Sequence, residues 1–241
     1  MIVDREDGRL LVVEQEAHAH LTGELAAALP FHVPHHAAFV AAARVHDNGW
    51  READRAATVD EDGMPHTFNN VPDAVYEDLW RRGIERAAAV DELVGLLVGL
   101  HGARFFETRE SPGMRALVAD ERRRQDDVLA SLGLGGSWDE LPGDVAEASD
   151  WIAVLDALSL LLCGAGLPDR ISPRVVSQPY TLTRDGREVA VDPWPYAQDA
   201  LRTSVPARRI PLGPYPDHEA LRDALQAASW VEHRVTVAPA S

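Results

Sequence analysis

"WIAVLDALSLLLCGAG", residues 151–166, sets one carboxylate, Asp156, inside an otherwise nearly apolar run. Burying even a neutral polar group without a partner costs roughly 2–7 kcal/mol, and a charge costs more. A membrane span needs about 20 such residues, so the run is too short to cross a bilayer. It predicts instead an interior helix, from about Asp144 to Ala165, in a soluble protein. Asp156 then needs a partner inside the fold. A metal shared with other ligands is one answer, and an ion pair with Arg44 or Arg104 is the other.

Composition narrows the search. The 241 residues are 46% hydrophobic and 26% charged, the balance of an ordinary globular chain. A formal net charge of −16 argues against long nucleic acid and anionic membrane surfaces as partners. Small anionic substrates remain open, because a metal or a few arginines can hold them locally. A homo-oligomer is compatible with the composition. The single cysteine, Cys163, rules out a disulfide within the chain and reads as a small buried hydrophobe. "MIVDREDGRL" at the N-terminus lacks the apolar stretch of a secretory signal, so the expected location is the cytoplasm. All 23 basic residues are arginine. Without lysine there is no Schiff-base chemistry and no Walker A loop.

The pattern along the chain predicts a mainly α fold. Residues 1–15 read as a β-hairpin turning at Asp7-Gly8. Helical periodicity covers about His18 to Gly166, with breaks near Pro30 and Asn48-Gly49 and a long loop over 55–72. Further helices are expected at about 73–81, 84–106, 112–132 and 144–165. "GLGG" (133–136) follows no strand and reads as a helix cap and linker. After Pro168, β-type runs surround Asp185-Gly186. A short amphipathic helix, "DHEALRDALQAASW", and a strand, "EHRVTVAP", close the chain. The expected architecture is a single domain, 1–241. A helical bundle over about 16–167 would carry a small antiparallel β appendage from 1–15 and 168–241.

Candidate chemistry centres on "AAARVHDNGW", residues 41–50. His46 shares a helical face with Phe39, Ala42 and Ala43, and Asp47 follows it by about 100°. His18 lies on the stripe of Leu21, Thr22 and Leu25, whereas His20 falls off it. His101 follows Leu93, Leu97 and Leu100 on another stripe. Inward imidazoles and carboxylates on separate helices make a mixed N/O metal site suited to Mn, Fe, Co, Ni, Zn or Mg. Around it, Asp54 can serve as a general base or as a helix cap. Trp50 can wall a pocket or fill the core. Arg104 can bind an anion or form a structural ion pair, and His66 can close over substrate or stay solvated. His32, His35 and His36 form "FHVPHH", expected on the surface.

His18, then His46-Asp47, then Asp156 resemble the H…HD…D signature of the HD-domain superfamily. More narrowly, "EQEAHAHLTGELA", "HDNGW", "GLHGARF", "LDALSLLLCG" and "DPWPY" together resemble a bacterial family described only as a domain of unknown function. The superfamily resemblance implies an HD-like bundle and a divalent metal on His18, His46, Asp47 and Asp156. His101 would be an extra ligand or act on substrate, alongside Asp47 and Asp54. It implies hydrolysis of a small phosphoester or nucleotide-like substrate by a metal-activated water. Relatives that hold two irons and use dioxygen imply an oxygenase as the alternative, and a ligand-binding or regulatory module is the non-catalytic one. Asn48-Gly49-Trp50 departs from the apolar-Gly-Lys/His turn of many HD phosphohydrolases.

Overall fold

The computed structural model describes residues 1–106, 111–175 and 178–240. A hairpin of β1 (Ile2–Glu6) and β2 (Arg9–Val13) opens the chain. Asp7 and Gly8 both take positive φ in its two-residue turn, which matches the twist of the paired strands. Helices α1 (Gln15–Ala27), α2 (His36–Val45) and the short α3 (Arg51–Arg55) follow, with a 3₁₀ turn at Asn48–Trp50 between the last two. Beyond the loop come α4 (Asp73–Val90), α5 (Glu92–Phe106), α6 (Pro112–Ser131) and α7 (Gly143–Leu162). The remaining elements are β3 (Arg170–Ile171), β4 (Arg174–Val175), β5 (Gln178–Pro179), β6 (Thr181–Asp185), β7 (Glu188–Asp192), β8 (Leu201–Pro211), α8 (His218–Ala227) and β9 (Trp230–Pro239). Val176 and Ser177, inside one predicted β-type run, lie outside the described residues.

The architecture is mixed α/β, which corrects the expected mainly α HD-like bundle with a small antiparallel β appendage. One seven-stranded sheet runs β1-β2-β8-β9-β7-β6-β3, joining both ends of the chain. It is not wholly antiparallel, because β7 pairs with β9 in parallel. Strand β8 makes the difference. Over 11 residues it pairs with β2 through 208–211 and with β9 through 201–208. Its sequence, LRTSVPARRIP, has no clean apolar alternation, and Pro206 interrupts it. Proline is tolerated there because β2 covers only residues 208–211, so Pro206 has a paired strand on one side alone.

The sheet is buried on both faces near its N-terminal strands. Leu11 and Val13 of β2 join the main core with the helices, whereas Leu10 and Val12 meet Ile210, Leu221 and Leu225 beneath α8. That is the period-two alternation of a strand. Helix α7 packs against α1, α2 and α5 on one side and against β4, β6 and β7 on the other. Being enclosed by both layers, it is apolar almost all round. His233 of β9 ties the layers together by donating from Nε2 to the Leu162 carbonyl at 3.1 Å. Among the described residues, no helix is long and apolar enough to cross a membrane.

Helix α4 runs unbroken through Gly83, where the sequence suggests a break. The interruption falls at Asp91, whose Oδ1 accepts from the Leu93 and Val94 amides and so starts α5. Gly83 serves packing instead. A Cβ on Gly49 would sit 2.0 Å from the Leu79 carbonyl oxygen, and Gly83 lies directly beside it. The turn that carries Asp47 is therefore pressed onto the backbone of α4. Gly49→Ala should cost about 1–3 kcal/mol of stability through overpacking, readable as a lower urea midpoint. The bulkier Gly49→Val should cost more.

Candidate metal centre

Four elements deliver side chains to one buried point. His18 stands one turn into α1, His46 ends α2, His101 lies in α5 and Asp156 in α7. Asp47 leaves the helix with φ −108° and ψ 21°, which turns its carboxylate toward the same point. His18, His46 and His101 are each at most 1% exposed, and both carboxylates are buried. His18 Nε2 lies 3.0 Å from Asp47 Oδ2 and 3.6 Å from Asp156 Oδ1. His46 Nε2 lies 3.2 Å from Asp156 Oδ1 and 3.8 Å from Asp47 Oδ2. Ligands sharing an ion at bonds of about 2.1 Å stand roughly 3.0–3.4 Å apart; the 3.0 and 3.2 Å pairs fall in that range, and the 3.6 and 3.8 Å pairs lie beyond it. His101 meets the other oxygen of Asp156, Oδ2, at 3.6 Å.

The surroundings fix which ring nitrogens point inward. His46 Nδ1 lies 2.9 Å from the Ala43 carbonyl, which can only accept, so Nδ1 carries the proton. His18 Nδ1 lies 2.8 Å from Ser159 Oγ, and that hydroxyl itself donates to the Asp156 carbonyl. Thr22 Oγ1, 2.7 Å from Ser159 Oγ, donates to the His18 carbonyl. Both rings thus direct Nε2 at carboxylate oxygens, where either a proton or a cation must sit. Hydrogen-bonded outer partners of this kind orient metal-binding imidazoles.

Charge follows the geometry. Burial pushes the His46 pKa down, but the Asp47 charge and the hydrogen bond and charge of Asp156 outweigh it and raise it to about 9. Burial likewise opposes ionisation of Asp156, yet the hydrogen bond from His46 and the neighbouring imidazoles bring its pKa to about 2. Asp47 is lowered as well, with His46 and His18 overcoming its burial. Burial takes His101 down to about 4, so this ring is neutral near pH 7. Its Nδ1 is buried without a hydrogen-bond partner.

The cluster floors a cleft of about 750 Å³, lined by Asp47, His101 and Asp156 at its base and by Trp50 and Arg104 on its walls. Such a volume suits a small molecule. The arginines do not partner Asp156. Arg44 is exposed, and Arg104 bonds to Asp150 and to Ser149 Oγ. His20 is exposed, as its place off the stripe implies. Asp54 is buried away from the cleft, where its oxygens accept from the Met1 amino group and, at 2.6 Å, from the Gln15 amide. His66 lines a separate hollow with His218 and bonds to Thr58 Oγ1 at 2.9 Å. Among the described residues, His32, His35 and His36 belong to no metal-ligating group, and His35 pairs with Asp144.

Gln15 is the site residue that sequence reading overlooks. It is 1% exposed, lines the cleft, and donates from Nε2 to Asp47 Oδ2 at 3.1 Å. Its Oε1 is buried with no partner. Nothing in the sequence marks it beyond its place at the strand-to-helix junction.

Residues 1–212 match the family profile described as protein of unknown function (DUF3891). The chain belongs to the DUF3891 family. The matched segment holds every member of the cluster and ends just past β8, before α8 and β9. No curated protein and no solved structure matches this DUF3891 chain. Two overlapping triads, His18-His46-Asp47 and His46-His101-Asp156, are the groups able to hold a metal ion among its described residues.

The raised His46 pKa carries a sign. Its stabilisation of the metal-free protein is complete below the ordinary value of 6.5 and is lost as pH rises through about 9. Divalent-ion binding must displace that proton. Apparent affinity, followed by chelator competition, should therefore climb about tenfold per pH unit and level off near pH 9. Ser159→Ala should weaken binding roughly 10–100-fold at fixed pH, because it frees the His18 ring.

Proposed function

We propose that this DUF3891 protein is a metal-dependent hydrolase acting on a small phosphoester. One observation carries the reading. His18 and His46 each hold Nε2 within 3.0–3.8 Å of Asp47 and Asp156 oxygens, and those two carboxylates line a cleft large enough for substrate. The ordered donor set resembles that of HD-domain hydrolases, although the mixed α/β fold is not their mainly α bundle.

Two imidazole nitrogens and two carboxylate oxygens suit Mn, Fe, Co, Ni, Zn or Mg. Such an ion, held by His18, His46, Asp47 and Asp156, would supply an acidified water and polarise the ester oxygen. The chain's own residues do the rest. Asp47 and Asp156 hold two negative charges at the base of the cleft. Gln15 fixes Asp47 through its amide and leaves Oε1 as a nearby acceptor. His101, kept neutral by burial, can hydrogen-bond the substrate head from the cleft floor. Asp54 acts indirectly: by binding the Gln15 amide it anchors the start of α1 and so sets His18 one turn on.

A single ion fits better than a pair. Among the described residues, a second ion would find His101, Asp156 Oδ2 and the other Asp47 oxygen as ligands not already used by the first ion, with one imidazole among them. That count weighs against a two-iron oxygenase. Metal analysis of protein purified without chelator should return close to one ion per chain. Asp156→Asn should lose it while keeping the helical circular-dichroism signal. A folded wild-type protein that takes up no divalent ion, even when supplied with one, would falsify the hydrolase reading and leave a ligand-binding module.

A further inference from the structure

The cleft above the cluster has two unlike walls. One is a run of aromatic rings. Trp50 meets Tyr76 at 6.1 Å between centroids, Tyr76 meets Trp80 at 6.1 Å, and Trp80 stacks on Phe105 at 6.5 Å and 25°. Phe105 then reaches His101 at 5.2 Å, edge to face. The rings therefore lead from the turn after Asp47 to the imidazole at the floor. Phe68 adds a further ring from the loop before α4.

The other wall belongs to α7. Ala153 and Ala157, one turn apart, line the cleft and are only half-buried. Trp151, Ile152, Val154, Leu155 and Leu158 around them are all buried. A helix otherwise rich in large side chains thus presents methyl groups at two successive turns on the cleft side, before Leu160 of the next turn also reaches it. Small residues along that line leave room beside the rings. Arg104 is the one cation among the described residues lining the cleft, and Asp150 and Ser149 engage it. A polyphosphate chain would need several cations there.

We propose that the cleft is a slot for a phosphoester with a flat aromatic body, seated between the rings and Ala153/Ala157, with a single phosphoryl head at the Asp47–Asp156 floor. This rests on the metal-centre reading above and narrows its substrate class. Offset stacking and apolar burial favour a ring in such a slot over a chain of charged groups.

Phenylphosphonate and methylphosphonate test the slot, because they share one head and do not hydrolyse. Calorimetric titration into the full chain loaded with Mn²⁺ should find phenylphosphonate tighter by on the order of tenfold. Ala153→Leu, which fills open space and leaves the ligands alone, should cut that advantage below about threefold with methylphosphonate unchanged. Phe105→Ala should shrink it too, which guards against a misfolded first variant. Equal binding of the two phosphonates to the metal-loaded protein would overturn the slot and leave the metal centre standing. Tightest binding by pyrophosphate would replace the slot with a polyphosphate site. Phenylphosphonate affinity unchanged when Mn²⁺ is omitted would overturn the placement of the head, and the metal-centre reading with it.

Discussion

Two buried carboxylates that share the same imidazole neighbours are the constraint around which the helices are arranged. Asp47 and Asp156 would repel and stay poorly solvated if they faced only apolar neighbours. Three imidazoles answer them, and each ring arrives from a different helix. Removing one partner would leave an uncompensated buried charge, so α1, α2, α5 and α7 cannot be repositioned independently. This explains the close approaches elsewhere. Gly49 brings the turn of Asp47 against α4, and Gly23 lets Arg44 of α2 press on α1.

The sheet contributes from behind. It does not touch the donor atoms, yet it covers the side of α7 opposite the other helices. A helix whose surface is apolar in nearly every direction needs such a cover. The bond from His233 to the Leu162 carbonyl satisfies an end of α7 that would otherwise be orphaned in the core. Protein and site are therefore not separable into a helical core with an ornament. The strands complete the burial that gives the cluster its electrostatic character.

The donors were legible because each sits on a stripe of core residues. His18 shares its face with Leu21 and Leu25, and His20 does not, so helical geometry alone separates the buried ring from the exposed one. Asp156 announced itself as a charge in an apolar run. The extent of the sheet was not legible, although its hairpins and last strand were, because β8 carries arginines and Pro206 where alternation would be expected. Its pairing is fixed by partners at the far end of the chain, not by local pattern. Gln15 was hidden for a related reason. A polar residue at a strand-to-helix junction ordinarily faces water, and only the tertiary approach of Asp47 turns it inward. Asp54 and His66 lie close in sequence to the doublet and to the loop over the cleft, but their side chains are bound elsewhere.

The pairing of β2 with β8 sets an order of events during synthesis. Arg9 waits for Pro211, and Val12 for Arg208. At about 5–20 residues per second, that is a delay of roughly 10–40 s on the ribosome. Every donor of the cluster has been made by residue 156, well before the central strand exists. The donors are therefore all synthesised while the first hairpin still shows a bare edge.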